Sequence, residues 1–238
     1  VLGYPESYYT QPSEAIKEIQ IVRGAASLQY GTQFGGLINF IMKEPSKKKI
    51  EFITRNTAGS NRLYTTFSSL SGRVKKFSYY AYYNYKKGDG FRDNSKFKSN
   101  NFYFHFGYEV SRRTKITGEI SYLNYLAQQA GGLSDKMFST APLQSNRSRN
   151  WFGLDWFLFN LKLNHKFSSA SNLSINFFGL DAERSSIGFR SNRVDQVDPF
   201  TERDLIKGKF NNHGLEIKFL NNYNFLNRKN VFVIGGKY

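Results

Sequence analysis

The chain has 238 residues, no cysteine, Phe 23, Tyr 16 and Trp 2, and a formal net charge of +16 with a mean hydropathy of −0.54. The absence of cysteine excludes a disulfide framework, thiolate metal sites and a cysteine nucleophile together. No run of 18 or more apolar residues exists, which excludes a helical membrane span, and 17% aromatic content is too rich for a disordered chain. A polar, aromatic-heavy sequence with few strong helix formers is what remains, and that is a β-protein profile.

In chain order, Pro12, Ser13, Glu14, Ala15, Ile16 and Lys17 give a short helix-start signal with Ser13 as cap. Residues 18–22 alternate as a short strand, 23–36 are rich in Gly, Ala and Ser, and 37–42 read as a second short strand. Residues 43–49 are a charged linker in which Pro45 blocks strand continuation. The first 46 residues are too few to bury a core alone. Val1 is not an initiator methionine and 231–238 read as a strand that stops, so the sequence is expected to be an internal piece of a longer protein.

From Ile50 onward the period is two. Phe102, Phe104, Phe106, Tyr108 and Val110 alternate with Tyr103, His105, Gly107 and Glu109. Phe157, Phe159, Leu161 and Leu163 alternate in the same way with Leu158, Asn160, Lys162 and Asn164. About nine strands follow, at 50–58, 63–71, 76–86, 101–110, 115–126, 153–167, 172–184, 213–225 and 230–238. The connections at 71–75, 111–114, 168–171 and 226–229 are short and polar. They alternate with 59–62, 87–100, 127–152 and 185–212, of which the last three are long. In an up-and-down antiparallel sheet, alternate connections emerge at one edge, so short turns gather at one end and long loops at the other. That is the transmembrane β-barrel pattern. Soluble β-sandwiches and small barrels also alternate. Against them stand the Phe and Tyr crowding near strand ends and a second face of Asn, Lys, Glu, Ser and His, which suits a wide lumen better than a packed centre.

No catalytic constellation stands out, and no enzyme activity is expected. His105, His165 and His213 lie apart, without metal-ligand spacing. The basic residues do not concentrate on one helix or one sheet face, which argues against nucleic acid as partner. Many lie at strand ends, among them Lys75, Lys76, Arg112, Arg113, Lys115, Arg228 and Lys229, where they can meet lipid headgroups. Others lie in the long loops, including Arg92, Lys96, Lys98, Arg147, Arg149, Arg184, Arg190, Arg193 and Arg203. Arginine grips carboxylates through two parallel hydrogen bonds, and a positive funnel speeds capture of an anion.

The segment before the strands carries a resemblance. Ile19-Gln20-Ile21-Val22-Arg23-Gly24-Ala25-Ala26-Ser27-Leu28-Gln29-Tyr30-Gly31, then Gly35-Gly36-Leu37-Ile38-Asn39-Phe40 and the basic Lys43, resembles the end of the plug domain of TonB-dependent outer-membrane transporters. The pattern stands immediately before the first long strand, as that family's order requires. The wording from Ser27 through Gln33 and Phe34 to Phe40 looks like the ferric-citrate-type siderophore receptors, with Gln29 where relatives can carry a basic residue.

The resemblance implies an all-β, transmembrane, antiparallel up-and-down β-barrel of about 22 strands, of which this chain holds about nine. The C-terminal part of an α+β plug domain would precede them, at residues 1–46, with barrel at 47–238. It implies a multi-pass outer-membrane receptor that imports a ferric siderophore or other iron chelate, driven by a TonB-type inner-membrane energy-coupling protein through plug rearrangement. Outer-membrane lipids would surround it, and iron would enter as cargo, without a resident cofactor. Plug–barrel contact would fall to Arg23, Gly24, Tyr30, Gly31, Gly35, Gly36 and Asn39, with Arg23 facing acidic groups of the lumen. Chelate binding would fall to Gln29, Gln33, Arg92, Arg147, Arg149, Arg190 and Arg193. A same-family importer of a glycan or corrinoid, and a soluble β-sandwich binding module, remain the alternatives.

Overall fold

The structure, a computed structural model, describes residues 11–24, 36–190 and 193–238. A 3-10 turn at Ser13–Ala15 leads into β1 (Ile16–Val22), which pairs antiparallel with β2 (Leu37–Met42). Then come β3 (Glu51–Ala58), β4 (Tyr64–Val74), β5 (Phe77–Gly88), β6 (Phe97–Glu109) and β7 (Thr114–Gln128). A short helix, α1 (Asp135–Thr140), precedes β8 (Trp151–Lys166), β9 (Ser171–Ile187), β10 (Ile206–Phe225) and β11 (Arg228–Lys237). Strands β3 to β11 form one nine-stranded sheet in strict chain order, every pair antiparallel, with β3 and β11 at open edges. This is the up-and-down wall that the alternation implies.

Register explains the two faces. Directly opposed residues share a face, and the row Phe77, Tyr108, Ile116, Leu163, Ile175, Ile217 crosses six strands without a polar side chain other than one phenol. Three further rows above it run Tyr79–Phe106–Gly118–Leu161–Phe177–Leu215, Ala81–Phe104–Ile120–Phe159–Gly179–His213 and Tyr83–Phe102–Tyr122–Phe157–Asp181–Asn211. The fifth row, Tyr85–Asn100–Asn124–Asp155–Glu183–Lys209, is polar. On β5 to β8 an apolar band therefore stops sharply toward the long loops, while on β9 and β10 polar side chains enter one row lower, at Asp181 and Asn211. Its edge carries tyrosines whose hydroxyls turn to polar neighbours: Tyr83 donates to Asn100 Oδ1 at 2.8 Å and Tyr122 to Asp155 Oδ1 at 2.9 Å. Such a band with an aromatic rim matches the pattern of the outward face of transmembrane β-barrels.

The opposite face alternates with it and is mixed. Near the short turns it carries Ser78, Thr117, Lys162, Asn176 and Glu216. The leading residues lie against this inner face. Ala15 is fully buried and clusters with Phe67, Tyr80, Tyr82 and Tyr103, with Met42 packed alongside. The Tyr82 hydroxyl donates to Gln11 Oε1. The linker is sewn to β4 and β5: Ser46 N donates to Ser71 Oγ at 2.7 Å, Arg73 N to the Lys48 carbonyl at 2.8 Å, and the Tyr79 hydroxyl to the Lys49 carbonyl at 3.0 Å.

Several boundaries differ from the sequence expectation. The helix start at 12–17 is one 3-10 turn whose cap position is Pro12, and Ser13 Oγ bonds Glu14 instead of a backbone N–H. β6 begins at Phe97, not 101, and β10 at Ile206, not 213. The added residues lie beyond the apolar band, so Lys98, Asn100, Lys207 and Lys209 stand where the alternation signal needs apolar side chains. The turns are correspondingly tighter. That between β10 and β11 is Leu226 and Asn227, both at positive φ (51° and 59°), the two-residue geometry that suits strand twist.

Candidate functional site

Beside the short 59–63 connection, three long ones emerge at the end of the sheet away from the short turns: 89–96, 129–150 and 188–205. They are held to one another chiefly by arginines. Arg92 in the first reaches the second, donating to the carbonyls of Gln144 (3.1 Å), Gly131 (3.0 Å) and Ala130 (3.4 Å). Helix α1 supports that contact. Ser134 Oγ caps it by accepting from Met137 N at 3.3 Å, and Gln144 Nε2 donates to the Met137 carbonyl at 2.6 Å.

The second and third loops are joined around Asp198. This carboxylate is 5% exposed and receives Arg149 Nη2 at 2.9 Å and Nε at 3.3 Å on its two oxygens, Arg203 Nη2 at 2.7 Å, and the Phe200 backbone N–H at 2.9 Å. Burial opposes its ionisation, but the hydrogen bonds from Arg149, Phe200 and Arg203 outweigh burial and hold the carboxyl down at about 2. Each guanidinium also lies over a ring: Arg149 over Phe200 at 4.8 Å, and Arg147 and Arg203 over Phe189 at 4.9 Å each. Arg147 is itself buried and donates to the carbonyls of Asn146 (2.6 Å), Gln196 (3.1 Å) and Val194 (3.5 Å). Asn150 and Phe189 exchange two bonds at 3.0 and 2.8 Å.

Beneath the loops, the inner face of β7 to β10 turns apolar. Leu123, Phe152, Leu154, Trp156, Leu180 and Ala182 form one buried cluster with Tyr125, Leu158 and Phe210 against it. The alternation led to a polar inner face throughout, and this upper patch is the departure from it.

Of the residues singled out in the sequence, Arg92, Arg147 and Arg149 come together in the loop assembly, where their bonds run to protein carbonyls and to Asp198. Arg190 is exposed, and Arg193, also exposed, pairs with Asp195 at 3.3 Å. Gln29, Gln33, Tyr30, Gly31 and Gly35 lie outside the described residues. Asn39 faces Gln20 across the β1–β2 pair and donates to its Oε1 at 3.1 Å. Gly36 has φ +101°, and a Cβ there would lie 2.4 Å from the Val22 carbonyl oxygen, so glycine is required where the chain enters β2. Gly24 has φ +74° with open space about its α-carbon. Arg23 is exposed and has no acidic partner among the described residues.

Sequence reading missed Asp198 and Phe189, and placed Arg203 only among the loop arginines. Asp198 and Phe189 read as ordinary loop residues, and only the pairing of distant loops gives them partners. His105 lies 3.1 Å from Glu119, His165 2.9 Å from Thr114 Oγ1, and His213 stacks on Phe177. Among the described residues no group of three or more His, Cys, Asp or Glu could hold a metal ion. The positive charge is also distributed unevenly. The loops 59–63, 89–96, 129–150 and 188–205 hold nine basic residues against seven acidic ones. At the other end, positions 43–51, 73–76, 109–115, 166–171 and 225–229 hold thirteen against three.

No protein-family model matches the chain, and no curated protein matches it. Solved structures do. The chain is similar to the ferric citrate transporter FecA in its unliganded form, at 19% identity and TM-score 0.78, over 94% of this chain and 34% of that one. It is similar to the pyoverdine outer membrane receptor FpvA of Pseudomonas aeruginosa PAO1 bound to pyoverdine, at 17% identity and TM-score 0.75, over 94% and 35%. It is similar also to BauA, the ferric preacinetobactin receptor of Acinetobacter baumannii, at 13% identity and TM-score 0.77, over 94% and 36%. The chain spans about a third of the length of these structures. What it shares with them is the fold: its nine-stranded sheet matches a stretch of a receptor barrel.

Proposed function

We propose that the chain is part of an outer-membrane, TonB-dependent receptor that imports a ferric siderophore or related iron chelate, with ferric-citrate-like cargo as the first candidate. Residues 1–46 form the end of its plug and 47–238 the first stretch of its wall. The observation that carries this reading is the packing of Gln11, Ala15 and Met42 on the sheet face opposite the four apolar rows. A segment lodged on the inner face of an up-and-down wall with an apolar exterior is the arrangement of a plugged barrel.

In this reading the loops and the plug apex, Gln29 and Gln33 included, take up the chelate. Arg190 and Arg193 present charge outward, while Arg92, Arg147 and Arg149 set the loops' relative positions. The Arg23–Gly24 stretch, Tyr30, Gly31, Gly35, Gly36 and Asn39 shape the plug where it meets the wall. A TonB-type inner-membrane protein then supplies the pull that rearranges the plug, and iron passes as cargo. Deleting the gene from its host and supplying single ferric chelates under iron limitation tests the reading. Loss of growth on one chelate, restored by the gene, is the expected result. Undiminished growth on every chelate, with a defect on a polysaccharide or a corrinoid, would reassign the cargo.

A further inference from the structure

The net charge of this protein sits at the end that binds no cargo in the reading above. Lys75 and Lys76 form the β4–β5 turn, Arg112 and Arg113 lie in the β6–β7 turn, and Arg228 and Lys229 open β11. All six are exposed. The ion pairs nearby are Lys17–Glu44, Lys48–Glu51 and Arg73–Glu109, and none of the six has an acidic partner among the described residues. Directly above them the outer face begins with exposed apolar side chains: Val74 opposite Phe77, Phe77 opposite Tyr108, and Val110 just past Tyr108. Phe77 stacks on Phe106 at 6.4 Å and on Tyr79 at 6.1 Å, which fixes the lowest ring of the band.

Position decides which anion this charge meets. Neighbouring turns of such a sheet are about 10 Å apart, two strand spacings. The cations therefore form a row along the rim, a pair at three of the four hairpins, immediately below an apolar band. A docking site for an acidic protein would gather charge into a patch, away from a lipid-facing edge. A row at the border between apolar band and water matches a plane of headgroups, where each lysine or arginine reaches a phosphate while its neighbours rest on acyl chains. We propose that the short-turn rim is a belt that binds anionic phospholipid headgroups of the adjoining leaflet. The proposal rests on the membrane-barrel reading above and adds to it a lipid preference and the residues that set it.

The test uses the full-length protein reconstituted in vesicles of zwitterionic phosphatidylcholine, alone or mixed with anionic phosphatidylglycerol, and reads annular lipid selectivity and the thermal midpoint. Two variants with equal charge change are compared. One carries Lys75→Gln, Lys76→Gln, Arg112→Gln and Arg113→Gln at the short turns. The other carries Arg62→Gln, Lys87→Gln, Lys98→Gln and Lys136→Gln at the opposite end. The wild-type protein is expected to prefer anionic lipid and to melt higher in its presence. The short-turn variant should lose that preference by about tenfold or more, a few cations each contributing about fivefold at most. The loop-end variant should keep it. Equal losses in the two variants make the preference a matter of bulk charge and overturn the belt. Insertion with no lipid preference, or retention of an acidic soluble protein that the short-turn variant loses without any change in lipid selectivity, overturns it as well. Failure to insert in either vesicle overturns the barrel reading, and the belt with it.

Discussion

The guanidinium of Arg149 grips both oxygens of Asp198, through Nη2 at 2.9 Å and Nε at 3.3 Å, and so ties the loop 129–150 to the loop 188–205. The carboxyl is held at about 2, below its ordinary value near 4, so the folded protein binds fewer protons there than the unfolded chain. The tie is fully present above about pH 4 and is lost as the pH falls through about 2. Limited proteolysis of 188–205 from about pH 6 down to about pH 2 should show protection fading only at the acid end. Asp198→Asn should be cleaved readily across the whole range, and equal protection in the variant would refute the tie.

Arg92 is a second, separate tie. Its three carbonyl acceptors at 3.0, 3.1 and 3.4 Å require the planar, forked donor set, which a lysine does not supply. Arg92→Lys is therefore expected to loosen 89–96 from 129–150 by about 1–3 kcal/mol. Amide hydrogen exchange in the two loops should rise together, with 188–205 unaffected.

On the outer face, a Cβ at Gly118 would lie 2.2 Å from Cε1 of Phe106, whose ring covers the glycine opposite it. Gly118→Ala must displace that ring, at an expected cost of about 1–3 kcal/mol. Phe106→Leu in the same chain should recover part of the loss. Strictly additive effects of the two substitutions on unfolding would show that the ring does not rest there.

Depth along the wall gives a fourth expectation. Phe159 lies in the third apolar row and Asn124 in the first polar one. An arginine at the middle of a lipid-facing band costs about 2–4 kcal/mol, and near its edge about 0–1. Phe159→Arg should lower the stability of the vesicle-inserted protein by the larger amount and Asn124→Arg by the smaller. Equal effects would remove the lipid from that face.

These particulars also show which features the sequence discloses. A strand inside the apolar band advertises itself, because Phe157, Phe159, Leu161 and Leu163 face one way and their neighbours the other. Where β6 and β10 rise above the band, the outer face is wet, and Lys98, Lys207 and Lys209 leave no period to read. The apolar patch of Leu154, Trp156 and Leu180 was hidden for a related reason: apolar side chains on both faces of β8 read as a continuous run. The loop arginines were found by type, but their partners were not. The span from Arg149 to Asp198 is 49 residues, and no local pattern links them. Glycines 24 and 36, at the two ends of the Gly-rich stretch, both stand at positive φ, 74° and 101°.

The central claim is that the Phe159 side of β8 faces lipid while the Asn160 side faces an enclosed, plugged interior. Because the chain has no cysteine of its own, single cysteines at 159 and 160 can be spin-labelled in a full-length, otherwise cysteine-free protein in bilayers. Oxygen, which partitions into lipid, is expected to relax the label at 159, and a water-soluble paramagnetic reagent to have little access there. At 160 the label should be immobilised and respond weakly to oxygen. Ready access of the water-soluble reagent to 159, or oxygen sensitivity that is greater at 160, would contradict it.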